Sequence, residues 1–195
     1  WSSDVCSSDL LRVVSVSLHL VNTLFLLAAL TCAALAPGEA QPGWRWRRNE
    51  RSWPRGLLAG FVALGALGAV AALGDTLFPP SSVVAGITAD FSRSAHIAER
   101  IRVLHPLLAV SWAGFFAFWI AGAWERLPRL RRLGTLGLGM VALNLFLGLL
   151  NIGLLAPIWL QMLHLAVANL LWIVFVAILF SAASSEEFRY IPAIP

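Results

Sequence analysis

Five long apolar runs constrain the fold of this chain more than any other feature. A helix needs roughly 20 predominantly apolar residues to cross the hydrocarbon core of a bilayer. Charged residues make up 12% of the 195 residues, which is about half the share in an ordinary soluble domain. Lipid must therefore be the solvent, and we predict an all-α membrane protein with five transmembrane helices. The predicted spans are Val13–Leu35, Gly56–Gly74, Val103–Trp124, Leu133–Leu155 and Ile158–Ala182.

The arginines between the runs predict the orientation of the spans. They concentrate in residues 37–55 and 125–132, whereas no charge separates the last two spans. The positive-inside rule places both segments and the C-terminus in the cytoplasm, and residues 75–102 outside. We expect a multi-pass protein of the bacterial inner (plasma) membrane. Because the basic residues follow membrane topology, we expect lipid as a partner and no nucleic acid.

The spans divide the chain into five parts. The first ten residues, WSSDVCSSDL, are polar and have no basic segment typical of a secretory signal, so we treat them as a non-native or disordered tail. An odd number of spans leaves the first residue outside, and we expect a truncated chain. The expected parts are the tail 1–10, a last helix of a truncated N-terminal bundle at 11–36, a cytoplasmic Arg/Trp-rich loop at 37–55, a complete four-helix bundle at 56–182, and a cytoplasmic tail at 183–195.

Three histidines lie inside spans that run in the same direction. His19, His105 and His164 belong to the first, third and fifth spans, and a rise of about 1.5 Å per residue puts each roughly 5–10 Å beneath the outer interface. Two histidines at equal depth on parallel helices can approach one iron from opposite faces, as a bis-histidine haem requires. An ionisable group within a span indicates function by default. The alternatives are histidines that only pack between helices and a zinc site, although no carboxylate or thiolate lies at that depth.

Other polar residues flank these histidines. Arg102 lies one turn outward of His105, where it is either a partner for a haem propionate or an ordinary interfacial arginine. His96 lies in the outer loop, and we expect it to be solvated. Asn22 and Gln161 either orient the imidazole N–H groups or form hydrogen bonds between helices. The sequence leaves the roles of His96, Asn22 and Gln161 open.

The first and fifth spans share a short pattern. Leu18-His19-Leu20 is followed by Asn22, and Leu163-His164-Leu165 is followed by Asn169. Together with the equal orientation, this predicts equivalent helices of two related bundles. The second bundle then has both of its histidines, and the first is represented only by its last helix.

Four segments resemble the bacterial haem A synthase family, the cytochrome oxidase assembly enzymes that convert haem O to haem A. They are SLHLVNTLFLLAALT (17–31), GALGAVAALGDTLFP (65–79), RIRVLHPLLAV (100–110) and NIGLLAPIWLQMLHLAVANLLWIV (151–174). The similarity extends from about Leu11 to Ala182, which would be the last five of the eight spans of that family.

The resemblance implies a role for each histidine within a span. His105 and His164 match the pair expected to ligate a haem b through its iron, with Arg102 beside it. His19 matches one of two histidines that hold the substrate haem iron. Members oxidise the C8 methyl of haem O to a formyl group, and electrons leave through the haem b. The family's catalytic glutamate lies in a region absent here, so the catalytic residue is unknown, and Glu99 is no substitute. Residues 75–99 also lack the cysteine pair of many members.

Three functions remain open from the sequence. The first is a haem A synthase-type oxidoreductase of which this fragment alone is inactive. Its implied partners are the missing N-terminal bundle of the same protein, haem O synthase, and a quinone or other electron acceptor. The second is a bis-histidine haem b electron-transfer membrane protein without substrate chemistry, because a haem with both axial positions filled only carries electrons. The third is a transporter or assembly factor without haem.

Overall fold

The computed structural model describes residues 3–36, 52–92, 97–126 and 128–183, and every regular element in them is helical. Five helices are long and apolar enough to cross a membrane, which confirms the predicted all-α class and number of spans. The sixth, α3, is an eight-residue helix in the predicted outer loop. The helices are α1 Ser3–Leu35, α2 Ser52–Leu77, α3 Val83–Asp90, α4 Ile97–Arg126, α5 Arg131–Gly153 and α6 Ile158–Ala183, with a 3₁₀ turn at Pro128–Leu130.

Several helices extend beyond the apolar runs that predict them. The backbone of residues 3–10 is helical and continuous with α1, and the interpretation of residues 1–10 as a non-native or disordered tail stays a prediction. Likewise, α4 begins at Ile97, before the predicted start at Val103. Extending a helix adds one backbone hydrogen bond per residue once the first turn exists, so it needs no apolar side chain. The loop residues 37–51 and the tail residues 184–195 lie outside the described residues.

Local sequence explains the remaining helix boundaries. Ser82 caps α3, and its side chain accepts a hydrogen bond from the Ala85 N–H at 3.1 Å. Between α5 and α6, Leu155 and Ala156 have left-handed φ values of 59° and 53°. The Gln161 side chain donates to the Ala156 carbonyl at 2.5 Å. Gln161 therefore holds this tight turn, which answers the question that the sequence left open about its role.

The core is an aromatic cluster in the predicted cytoplasmic half of the spans. Phe116 and Phe175 have no exposed surface, and the ring of Phe61 lies 5.0 Å from both Trp112 and Trp172, centroid to centroid. These rings come from α2, α4 and α6. Trp112 follows His105 by about two turns, so the cluster fills the space on the cytoplasmic side of the histidines.

Two tryptophans join neighbouring helices by hydrogen bonds. The Trp112 indole N–H donates to the Leu57 carbonyl at 2.8 Å and joins α4 to α2. The Trp172 indole N–H donates to the Leu24 carbonyl at 2.7 Å and joins α6 to α1. The side chain of Leu24 is itself buried in the aromatic core. Helix α1 therefore packs directly on the other spans, while the N-terminal bundle to which the sequence assigns it stays a prediction.

We expect Trp172→Phe to destabilise the protein by about 1 kcal/mol, because one buried interhelical hydrogen bond is lost. The midpoint of thermal unfolding in detergent measures the effect. Trp159→Phe is the control, since Trp159 lies on the same helix and its side chain is exposed. Equal shifts for the two variants would contradict the stabilising role of the Trp172 hydrogen bond.

Candidate functional site

The rings of His105 and His164 face each other between α4 and α6. Their centroids are 6.4 Å apart and their planes lie at 80°. Two rings that ligate one metal ion have centroids roughly 6 Å apart, given metal–nitrogen bonds of about 2 Å on each side. The structure therefore brings together the two histidines that the sequence places at one depth, at a separation that suits a shared iron.

Both rings carry a buried nitrogen without a partner. Nδ1 of His105 and Nδ1 of His164 are buried and form no hydrogen bond. A buried polar atom without a partner is costly and rare in native proteins. Each imidazole thus keeps a buried nitrogen whose hydrogen bond the described residues do not complete with standard geometry.

Each ring lies against a glycine of the neighbouring helix. A Cβ atom built on Gly68 of α2 would meet Cε1 of His105 at 2.8 Å, and one built on Gly148 of α5 would meet Cε1 of His164 at 3.4 Å. Sequence reasoning missed both glycines. Glycine is frequent in membrane helices, and nothing in the sequence marks these two among the 15 of the chain.

The other candidate residues do not join this pair. His19 is on the exposed side of α1, and its carbonyl accepts a hydrogen bond from Thr23 of its own helix at 2.9 Å. Asn22 is also exposed. His96 and the side chain of Glu99 lie outside the described residues. The structure thus places His19 apart from the facing rings, and its role as a ligand of the substrate haem stays a prediction.

Arg102 is engaged by two carboxylates that the sequence did not single out as its partners. Its guanidinium contacts Asp90 Oδ1 at 2.6 Å and Asp75 Oδ1 at 3.2 Å, and it also donates to the Phe78 carbonyl at 3.3 Å. Asp90 is 8% exposed. These contacts tie α4 to α3 and to the outer end of α2. A haem propionate would have to compete with Asp75 or Asp90 for Arg102, so the expected propionate contact stays a prediction.

The two ligands that His105 and His164 offer suit a metal ion that is already bound within a cofactor. In the part of the chain that the structure describes, no group of three His, Cys, Asp or Glu side chains could hold a metal ion. Structural zinc sites use four protein ligands and catalytic ones use three. A haem iron needs only the two axial ligands that His105 and His164 can supply.

These features define a multi-pass α-helical membrane protein with two histidines that face each other between its helices. The model of the COX15-CtaA family, described as cytochrome oxidase assembly protein, matches residues 5–176. The chain belongs to this family, which confirms the resemblance seen in the sequence.

Two curated relatives come from two strains of Thermus thermophilus, and both are named protoheme IX farnesyltransferase. Each is 38% identical to this chain over 188 residues, which is 93% of this chain and 30% of the relative. The chain thus spans less than a third of the length of these relatives. No solved structure matches it.

We expect Arg102→Gln to destabilise the protein by about 3 kcal/mol, because it leaves the buried Asp90 carboxylate without its charged partner. Thermal unfolding in detergent measures this loss. Arg131→Gln is the control, since Arg131 is exposed at the start of α5. The loss should shrink when Asp90→Asn is already present, and equal losses in both backgrounds would argue against the ion pair.

Proposed function

We propose that this chain is part of a haem A synthase, a membrane oxidoreductase that oxidises the C8 methyl of haem O to a formyl group. In this proposal His105 and His164 hold an electron-relaying haem b. Membership of a cytochrome oxidase assembly family supports the general role. The observation that carries the proposal is the pair of facing imidazoles between α4 and α6, whose centroids are 6.4 Å apart.

His105 and His164 would hold the iron of a haem b through their imidazoles. A bound haem b would supply reversible one-electron transfer. Two histidine ligands would restrict this site to carrying electrons. The aromatic cluster around Phe116 and Phe175 would lie on the cytoplasmic side of the rings and would limit the access of water from that side.

The substrate haem O would bind elsewhere, with His19 as one ligand of its iron. His19 lies on a face of α1 that also exposes Leu18, Phe25 and Leu26. That face is free of the aromatic core and suits a second bundle of the same protein. The catalytic residue would belong to that bundle, and we assign none in this chain.

The partners and location follow from the same proposal. A haem O synthase would supply the substrate, and a quinone or another acceptor would take the electrons. Relatives named protoheme IX farnesyltransferase share this sequence over 30% of their length, which supports a link to enzymes that act on haem. The arginine distribution supports a bacterial inner membrane with the C-terminus in the cytoplasm.

The alternative is a bis-histidine haem b electron-transfer protein without substrate chemistry. It is favoured by the same facing rings, since His105 and His164 alone would be sufficient for it. It differs from the first proposal in needing no function for His19.

We expect the full chain, loaded with haem b in detergent, to show a six-coordinate low-spin haem. His105→Ala and His164→Ala should each abolish the low-spin signal, because one axial ligand is lost. Absorption and electron paramagnetic resonance spectra measure this, and His19→Ala should leave the signal intact. A chain that binds no haem b, or His105→Ala and His164→Ala variants with unchanged spectra, would exclude the proposed site.

Titration with haem O distinguishes the two proposed functions. We expect the whole protein, with the N-terminal bundle that completes the site, to bind haem O at a second site when it is saturated with haem b, and His19→Ala to weaken this binding at least tenfold while haem b stays bound. Leu35→Ala is the control, because Leu35 is exposed on the same helix more than four turns from His19. A single haem per chain, with no effect of His19→Ala, would favour the electron-transfer protein.

A further inference from the structure

We propose that Gly68 and Gly148 are positioning residues for the two histidines. The missing side chain at each glycine lets an imidazole reach a backbone carbonyl on the neighbouring helix, and this carbonyl sets the orientation of the ring. The inference rests on the proposed function, because ring orientation matters most when the other ring nitrogen binds iron.

The contact is closest at Gly68. A Cβ atom there would lie 2.8 Å from Cε1, 3.3 Å from Nδ1 and 3.5 Å from Nε2 of His105. Cβ atoms in proteins do not lie as close as 2.8 Å to a neighbouring heavy atom, so any side chain at Gly68 would displace the His105 ring. At Gly148 the nearest atoms are His164 Cε1 at 3.4 Å and Nδ1 at 4.0 Å, which leaves room for a methyl group but not for a larger side chain.

Each glycine lies four residues after the residue whose carbonyl the imidazole is proposed to approach. The backbone of Leu64 lies beside the His105 ring and that of Asn144 beside the His164 ring, without a hydrogen bond of standard geometry to Nδ1 in either case. In an α-helix the carbonyl of residue i accepts the N–H of residue i+4 and keeps a second lone pair. The same four-residue spacing thus occurs twice, on α2 with α4 and on α5 with α6.

This spacing explains why a small residue is needed at each of the two positions. A side chain at position i+4 lies over the carbonyl of residue i, since side chains on a helix point back toward its N-terminus. The chain itself provides an example, because Thr23 donates to the carbonyl of His19, and Thr31 to that of Leu27. With glycine at i+4 the carbonyl is left uncovered, and an imidazole from another helix can approach it.

The unpaired nitrogens complete the argument. Nδ1 of each histidine is buried and forms no hydrogen bond of standard geometry, although a backbone acceptor lies on the helix against which the ring packs. A histidine that binds a metal commonly donates its second ring N–H to such a carbonyl, which fixes the tautomer and orientation. A donor at Nδ1 leaves the lone pair of Nε2 for iron.

The test compares matched glycines on the same helix. A Cβ at Gly56 of α2 or at Gly139 of α5 would meet nothing within 4 Å. We expect Gly68→Ala to weaken haem b binding by about ten- to a hundred-fold, as expected for loss of an outer-shell partner, and Gly56→Ala to change it less than twofold. On α5, Gly148→Ala should have little effect, and Gly148→Val should weaken binding far more than Gly139→Val.

Two further measurements separate ring positioning from general stability. Electron paramagnetic resonance at saturating haem b should give altered low-spin g values for Gly68→Ala and unaltered ones for Gly56→Ala. Thermal unfolding without haem should be similar for these two variants. If Gly68→Ala shows no unfolding transition, the comparison of Gly148→Val with Gly139→Val decides the question by the same spectra.

Failure of this inference differs from failure of the proposed function. Unchanged affinity and g values in Gly68→Ala and Gly148→Val, in a chain whose haem b depends on His105 and His164, would overturn the positioning role alone. A shift in thermal unfolding without any spectral change would overturn it too, because it indicates packing only. Absence of haem b from the unmodified chain would overturn both.

Discussion

Buried polar groups in this structure must find partners within the protein, because the hydrocarbon core contains no water that could act as a partner instead. This requirement controls the structure. The indoles of Trp112 and Trp172 meet it by donating to carbonyls of neighbouring helices. Arg102 meets it with two carboxylates, Asp75 near the end of α2 and Asp90 at the end of α3. The imidazoles of His105 and His164 leave Nδ1 unpaired. The rule thus has exceptions among the described residues, and these two nitrogens belong to the rings proposed to hold a haem.

Further buried atoms without a hydrogen-bond partner lie on α5, close in sequence to Gly148. The side-chain oxygens of Asn144 and Asn151 are also buried without a partner. Both belong to α5 and are seven residues apart, so they share a helix face with Gly148, which lies between them and packs against His164. The unmet hydrogen-bonding capacity on α5 is therefore concentrated on the face that carries the histidine contact.

The number of spans and the pairing of two histidines could be predicted from the sequence, because both depend on patterns that extend over many residues. Hydropathy predicts the spans. His105 and His164 are expected to lie together because their spans run in the same direction and because both residues lie at the same depth. The helix ends could not be predicted, since a helix continues past the lipid without apolar side chains, as α1 does from Ser3. The role of Gly68 depends on which ring packs against it, and the partner Asp90 of Arg102 lies in a loop whose path hydropathy does not fix.

The contacts around His105 explain how its position is held from both sides. On one side of the ring along the helices, Arg102 joins α4 to Asp75 near the C-terminal end of α2, and on the other side Trp112 joins the same two helices through the Leu57 carbonyl. Close approach between these points requires small residues on α2, and a Cβ at Gly60 would meet Trp112 at 3.0 Å just as one at Gly68 would meet His105. The two helices are thus joined above and below the imidazole, so the ring is held against the α2 backbone by contacts that do not involve it. A ligand that binds between His105 and His164 would therefore meet a ring whose distance from α2 is already set, which lowers the entropy lost on binding.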